Sequence, residues 1–398
     1  MKKKGILGLI IVLVIVLLLG LVKFWISGVI QRYDRQQHVD TTPDTLAYLF
    51  FGIGESENEG IDVHQAVLEA MSGSVSEDAS KQPVEEFTEA EQKTLDSFKT
   101  VSEGIYSLNY YGDILESEYL DANIKTAEEF DRWMTENLTK GVPTGDFPDM
   151  GCSSFATVSP EGDHLFARNY DMDEGDSLVL RMYPEDGYAS IGIVDLMHLN
   201  LGSRGDYDIN DEQGKKLLLA APWCVCDGIN EKGLGISLLT LDDPHQVTDT
   251  EKGDLLIYAA IRVILDRCAS VDEAVVLLGS YDMYSPSPYT YHFFITDASG
   301  RSVIVEWDND EMHVVDGNAV TNVFLYKDRD VRNIDRRYAM ISKALEEKEN
   351  MSDKDAMEVL ESVSRMTRWS AVYDLDHFDV EICFRGDYEN SYSYSGRE

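Results

Sequence analysis

Residues 150–172 read MGCSSFATVSPEGDHLFARNYDM. The part from Phe155 to Asp171 predicts strand, turn, strand, with Pro160-Glu-Gly-Asp as the turn. Cys152 follows a glycine at the head of the first strand, and Arg168, Asn169 and Asp171 crowd the second. This cluster of reactive side chains lies 150 residues into the chain.

Downstream, the same texture continues. SLVLRMYPEDGYASIGIVD (177–195) and LLLAAPWCVCDGINEKGLGISLLTL (217–241) read as further paired strands. Two helices follow, over GDLLIYAAIRVILDRCA (253–269) and over VDEAVVLLGSY (271–281), the second behind a capping box of Ser270 and Glu273. Hairpins return over 289–324 with Asp297-Ala-Ser-Gly as a turn, helices recur at 335–348 and 353–365, and strands close the chain from 369. Strands in blocks and helices in blocks predict an α+β fold with antiparallel sheets, and residues 152–398 are long enough for one large core.

Upstream, Met1-Lys2-Lys3-Lys4 precedes an uncharged apolar run from Gly5 to Val22. About 18 or more apolar residues suffice to cross a bilayer as a helix, whereas a cleavable signal peptide has a shorter apolar core and a small-residue cleavage site. No such site follows in KFWISGVIQRYDR, so residues 1–30 read as an uncleaved anchor. The three lysines place the N-terminus in the cytoplasm and the rest of the chain outside the cell membrane, although Lys23, Arg32 and Arg35 sit on the other flank. Residues 31–86 read as a stalk and flexible linker, rich in Ser, Glu and Gly toward its end. Residues 87–151 read as a helical pro-segment, with capping boxes at Thr88/Glu91 and Thr126/Glu129 and an apolar stretch over 105–120 that must pack against something.

The formal net charge of −39 argues against nucleic acid as a partner, because phosphate binding needs clustered Lys and Arg. Five cysteines form no disulfide framework. Cys224 and Cys226 lie two apart in a strand-like segment, which suits small core residues facing one way better than a metal pair, since no further Cys/His pair has suitable spacing.

Cys152 remains. A free thiol is mostly protonated at neutral pH, and His164, the one histidine nearby in sequence, falls in the hairpin turn. Cutting the Gly151–Cys152 bond would give Cys152 a free α-amine, which can accept the proton of its own thiol. The glycine leaves the bond accessible. On these grounds Cys152 is either such a nucleophile or a small residue buried in a strand.

GCSSFA, with GDHLFARNYDMDEG after it, resembles the N-terminal-nucleophile (Ntn) hydrolases of the linear amide hydrolase group, which includes choloylglycine hydrolases, penicillin V acylases and acyl-CoA:isopenicillin N acyltransferases. Arg168 lies 16 residues and Asp171 19 residues after Cys152, as in that family. DGINEKGLGIS (227–237) is similar to its Asn-Glu-x-Gly-Leu turn, VTNVF carries Asn322, and TRWSAVYDL carries Arg368. The resemblance covers about 152–390 and implies a four-layer αββα sandwich that needs no metal or organic cofactor. It implies Cys152 as nucleophile, Asp171 as holder of the α-amine, Arg168 as stabiliser of the thiolate, and Arg368 as an active-site arginine. Asn322 and the backbone amide of Thr240 would form the oxyanion hole, while Asn230 shapes its own turn. The long leader departs from bile salt hydrolases and points toward the acyltransferase- or ceramidase-like branches for maturation, and Thr240 departs from the Asn or Tyr of bile-salt and penicillin V enzymes, so their substrate preferences do not carry over. The expected protein is a membrane-anchored amidase with a small-molecule N-acyl amide substrate, acting through a Cys152 thioester. Its pro-segment either stays associated or leaves. An acyltransferase using the same thioester, or an unprocessed surface binding protein, are the alternatives.

Overall fold

The computed structural model describes residues 87–397, apart from residues 146, 148–150, 173–174, 245–249, 286–288, 309–310 and 327–329. The anchor expected over 1–30 and the stalk over 31–86 lie outside these residues. Among the described residues, no helix is long and apolar enough to cross a membrane.

The segment before Cys152 forms α1 (Glu89–Asp96), β1 (Lys99–Ser102), β2 (Ile105–Tyr110), α2 (Glu116–Asp121) and α3 (Ala127–Asn137). Both capping boxes form: Thr88 and Thr126 each accept from the backbone N–H three residues on, and Glu91 and Glu129 each reach back to the N-cap amide. A purely helical pro-segment is nevertheless the wrong description, because the aromatic stretch after 105 is a strand. β2 pairs in parallel with β5 (Ser177–Met182), Leu108 opposite Leu180, so the leader supplies two strands at one edge of a sheet. Phe130, Trp133 and Met134 recur at the i, i+3, i+4 spacing of a buried helix face. With Tyr119, the rings of Phe130 and Trp133 surround Trp223, whose ring centroid is 4.4 Å from that of Tyr119.

Two sheets dominate. The larger runs β1-β2-β5-β6-β7-β8-β11-β12-β13, and the smaller runs β14-β3-β4-β15-β16-β17. Here β3 is Gly151–Val158, β4 His164–Asp171, β6 Ser190–Asp195, β7 Val225–Asn230 and β8 Leu234–Pro244. After the short strand β9 (Gly253–Leu256) come α5 (Ile257–Arg267), α6 (Val271–Gly279) and β10 (Tyr281–Tyr284), with a further helix, α4 (Glu212–Leu218), ahead of β7. β11 (Tyr289–Asp297), β12 (Ser302–Asp308), β13 (Glu311–Asp316) and β14 (Ala319–Thr321) follow. The chain ends with α7 (Val331–Ile334), α8 (Arg336–Glu347), α9 (Asp353–Val363), β15 (Thr367–Asp374), β16 (Asp379–Phe384) and β17 (Ser391–Ser395).

The sheets face each other. Phe166 of β4 packs on Phe294 of β11, and the Ser154 and Ser237 hydroxyls meet at 2.9 Å. α5 and α6 cover the far side of the large sheet. α8 and α9 cover the far side of the small one, where Phe155, Leu165 and Ala167 pack with Ile341, Met357 and Leu360. The described part is thus a mixed α/β fold of two large sheets between helices, as expected, with one parallel pair (β2–β5) in the large sheet. One further expectation fails at its start: of the stretch 217–241 expected as strands, Leu217 and Leu218 end α4 and Ala221–Cys224 form a 3₁₀ turn with Pro222 at its start, and strand begins only at Val225. Cys224 and Cys226 therefore lie on different elements, and both are buried.

Candidate active site

The register of the β3–β4 hairpin explains the spacing of 16 and 19. Cys152 stands opposite Tyr170, Ser154 opposite Arg168, and Gly151 opposite Asp171. Side chains alternate along a strand, so Cys152, Arg168 and Tyr170 share the face between the sheets. Asp171 lies on the other face, toward α8. A Cβ at Gly151 would sit 3.2 Å from the Asp171 Cβ, closer than ordinary van der Waals contact.

The thiol is fully buried, and burial pushes it up to about 11 against the pull of the Arg168 guanidinium. Arg168 is fixed by three groups. It donates to the Leu238 carbonyl at 2.7 Å and to Asp227 at 3.4 Å, and it also bonds to the Cys152 sulfur. Asp227 is fully buried and accepts from Trp369 Nε1 at 3.0 Å and from the Tyr373 hydroxyl. Burial raises its carboxyl while Arg168 opposes that rise.

Asn322 follows β14, the neighbour of β3 in the small sheet. Its Oδ1 accepts the Cys152 N–H at 2.7 Å, and its Nδ2 donates to the Thr240 carbonyl at 2.6 Å. Arg337, in the first turn of α8, donates to Asp171 Oδ2 at 2.8 Å and to the same Asn322 Oδ1 at 2.7 Å. The other Asp171 oxygen accepts from the Thr367 hydroxyl.

Five of the six residues singled out in the sequence, Cys152, Arg168, Asp171, Thr240 and Asn322, are therefore joined by hydrogen bonds or lie in adjoining positions. The sixth, Arg368, lies beside Tyr170, which shares the inter-sheet face with Cys152. It occupies a bulge, since Thr367 pairs with Asp171 and Trp369 with Tyr170. Its guanidinium makes a buried salt bridge with Asp195, 6.0 Å from the Tyr170 ring centroid. Asn230 has the structural role expected of it. Its amide donates to the Leu265 and Cys268 carbonyls at the end of α5, and its Oδ1 accepts from Lys232 and Leu234 N–H groups around Gly233, whose φ is +79°.

Arg337, Asp227 and Thr367 were missed. Asp227 carried a signal, a lone carboxylate within the buried run of β7. Arg337 carried none, because nothing local separates it from Arg336.

Comparison with known proteins bears on the same region. Residues 152–365 match the family described as linear amide C-N hydrolases, choloylglycine hydrolase family. Among solved structures, a mutant conjugated bile acid hydrolase from Clostridium perfringens is similar at 17% identity and a TM-score of 0.48, over 61% of this chain and 92% of that one. Penicillin V acylase from Agrobacterium tumefaciens is similar at 18% identity and a TM-score of 0.42, over 58% of this chain and 83% of that one. The family match begins at Cys152 and spans more than half of the chain. The chain is a member of the choloylglycine hydrolase family of linear amide C–N hydrolases.

Proposed function

We propose that the protein is an Ntn amidohydrolase that becomes active when its Gly151–Cys152 bond is cut, and that Cys152 then cleaves a linear amide of an N-acylated small molecule. One observation carries this reading. The Cys152 N–H, Asn322, Arg337 and Asp171 form one hydrogen-bonded chain at the strand end where the new α-amine would lie.

In maturation the thiolate attacks the Gly151 carbonyl carbon. The Gly151–Cys152 C–N bond breaks, the nitrogen takes the thiol's proton, and the acyl group moves to sulfur. Water hydrolyses this thioester, leaving a Gly151 carboxylate on the leader and a free thiol and α-amine on Cys152. In turnover the α-amine takes the thiol proton and passes it to the leaving amine as the substrate acyl group moves to sulfur. Water, deprotonated by the same amine, then releases the acid. Arg168 supports the thiolate by its charge. Asn322 and the Thr240 amide stabilise the oxyanion, which requires Asn322 Nδ2 to leave the Thr240 carbonyl. Arg368 holds its neighbours through Asp195.

The leader stays bound after the cut on this reading, because β2 is a strand of the large sheet and Tyr119, Phe130 and Trp133 are part of the core. With the apolar run 5–22 as anchor, the enzyme remains on the outer face of the cell membrane. Intact mass and N-terminal sequencing of the purified full chain, beside Cys152→Ala, test the proposal. A fragment beginning Cys-Ser-Ser-Phe in the wild type alone is expected. If both proteins remain whole over a range of pH and time, no α-amine base forms, and a binding protein becomes the better reading.

A further inference from the structure

We propose that Glu306 is a positioning residue that sets where the Asn322 amide meets the oxyanion, a role that rests on the reading above. Asn322 lies just past the end of β14 at Thr321, where ladder pairing no longer fixes the backbone. Three residues on, the chain is tied to the large sheet. Glu306 of β12 accepts the Leu325 N–H at 3.0 Å on Oε1 and at 3.1 Å on Oε2, and the Tyr326 N–H at 2.9 Å on Oε2. The Tyr326 ring stacks on His313 of β13, with centroids 3.6 Å apart, and its hydroxyl donates to Asp308 at 2.9 Å. His292 Nδ1, on β11, lies 2.9 Å from Glu306 Oε1, and both side chains are fully buried. Burial would raise the Glu306 carboxyl, but His292 and the two backbone N–H groups hold it below its ordinary value. A carboxylate can only accept, so His292 Nδ1 is the donor.

The strand behind this clamp also carries the other half of the oxyanion hole. Thr240 of β8 pairs with Tyr291, the residue before His292 on β11. Glu306 lies across from His292, one step beyond the Phe293–Val305 pair. The Thr240 amide and the clamp on Leu325 and Tyr326 are therefore both referred to one place on β11. An oxyanion hole works only if its donors stand about 2.7–3.1 Å from the developing charge, so an amide that drifts by a fraction of an ångström loses much of its effect. The Cys152 N–H and Arg337 hold Asn322 by its Oδ1. Glu306 instead holds the backbone behind it. Without that carboxylate the Leu325 and Tyr326 N–H groups lose a buried acceptor, and the chain moves to find others, taking Asn322 with it.

The test uses the processed full chain in detergent and two reagents for the Cys152 thiol. With 4-nitrophenyl acetate the thiolate adds to the ester carbonyl and an oxyanion forms. Its collapse breaks the C–O bond, releases 4-nitrophenolate and leaves the acetyl group on sulfur. With iodoacetamide the thiolate displaces iodide at the methylene carbon, and no oxyanion forms. Cys152→Ala gives the background from the other buried cysteines. In Glu306→Leu acylation should slow by about 10²-fold, while alkylation keeps its wild-type rate. Combining Glu306→Leu with Asn322→Ala should slow acylation no further than Asn322→Ala alone, because both act through one amide. A group that only braced the fold would slow both reagents together, or add its loss to that of Asn322→Ala. Either result, or acylation of Glu306→Leu at the wild-type rate, refutes the role of Glu306 while the nucleophile stands. A wild type that is alkylated but never acylated has no oxyanion hole to position, and overturns the proposal too. If the wild type reacts like Cys152→Ala with both reagents, the reading of Cys152 fails and this one with it. Should Glu306→Leu not fold, Tyr326→Ala, which strips the ring and hydroxyl from the same clamp, must show the same selective slowing or the proposal is lost.

Discussion

Glu116 links the stability of the leader to pH. It opens α2 and pairs with Arg267 at the end of α5 at 2.6 Å. That pairing should hold its carboxyl low, yet burial and the nearby Asp266 carboxylate win, and the Glu116 pKa is pushed up to about 7. Arg267 is 44% exposed and shares its field with solvent, which explains why it loses. Unfolding returns Glu116 to an ordinary value near 4.5. Below that pH both states hold the proton. Between about 4.5 and 7 the unfolded chain releases it while the folded chain keeps it, so stability falls as pH rises through this window. At about 1.4 kcal/mol per pH unit, the loss amounts to roughly 3 kcal/mol by pH 8. Glu116→Gln keeps an acceptor for Arg267 and removes the titration.

The assay is urea unfolding of the wild type and Glu116→Gln at pH 5 and pH 8, taking the difference between the two proteins at each pH so that the other carboxylates cancel. The wild type should lose about 2.5 kcal/mol relative to the variant on going from pH 5 to pH 8. A difference that stays constant, or changes in the opposite direction, refutes the claim that burial outweighs Arg267.

Other perturbations have equally definite outcomes. Tyr119→Ala removes the ring against Trp223 and should cost about 3–5 kcal/mol; after the cut the same loss should free the leader, seen as two separate species in gel filtration. Arg168→Met leaves Asp227 buried without its cation and should lower stability by about 3–5 kcal/mol, read as a shift in the urea midpoint. Asn322→Ala should cut turnover by about 10²–10³-fold while the chain stays folded by circular dichroism, because one oxyanion donor is lost.

What could be read from the sequence was what local rules control. The hairpin from 151 to 171 has its turn written into Ser159–Asp163, and a fixed register then brings Gly151 against Asp171. Thr88 and Thr126 marked helix starts through contacts within a single turn. The failures were long-range or depended on environment. β2 joins β5 across some seventy intervening residues, and no local pattern names a partner that far away. Residues 217–224 are apolar enough for a strand, but short apolar runs do not distinguish strand from buried helix. Arg337 reaches the site only because α8 begins beside Asp171.

On the proposed reading, the position of the cut site explains why a buried nucleophile can wait behind a leader. Cys152 is already held in β3 by β4 on one side and β14 on the other, and neither pairing involves the chain before Gly151. Breaking the peptide bond therefore removes no strand contact from the nucleophile. The nitrogen that becomes the base already donates to Asn322 as an amide, so the amine forms in place with its acceptor and with Asp171 and Arg337 around it. Such preorganisation matters because a base that must find its geometry after each turnover loses part of the rate. The leader in turn gives up only its link at Gly151, since β2 and the Tyr119 cluster hold it elsewhere. Maturation by the proposed route cuts β3 after its first residue, Gly151, and leaves the pairings from Cys152 onward in place.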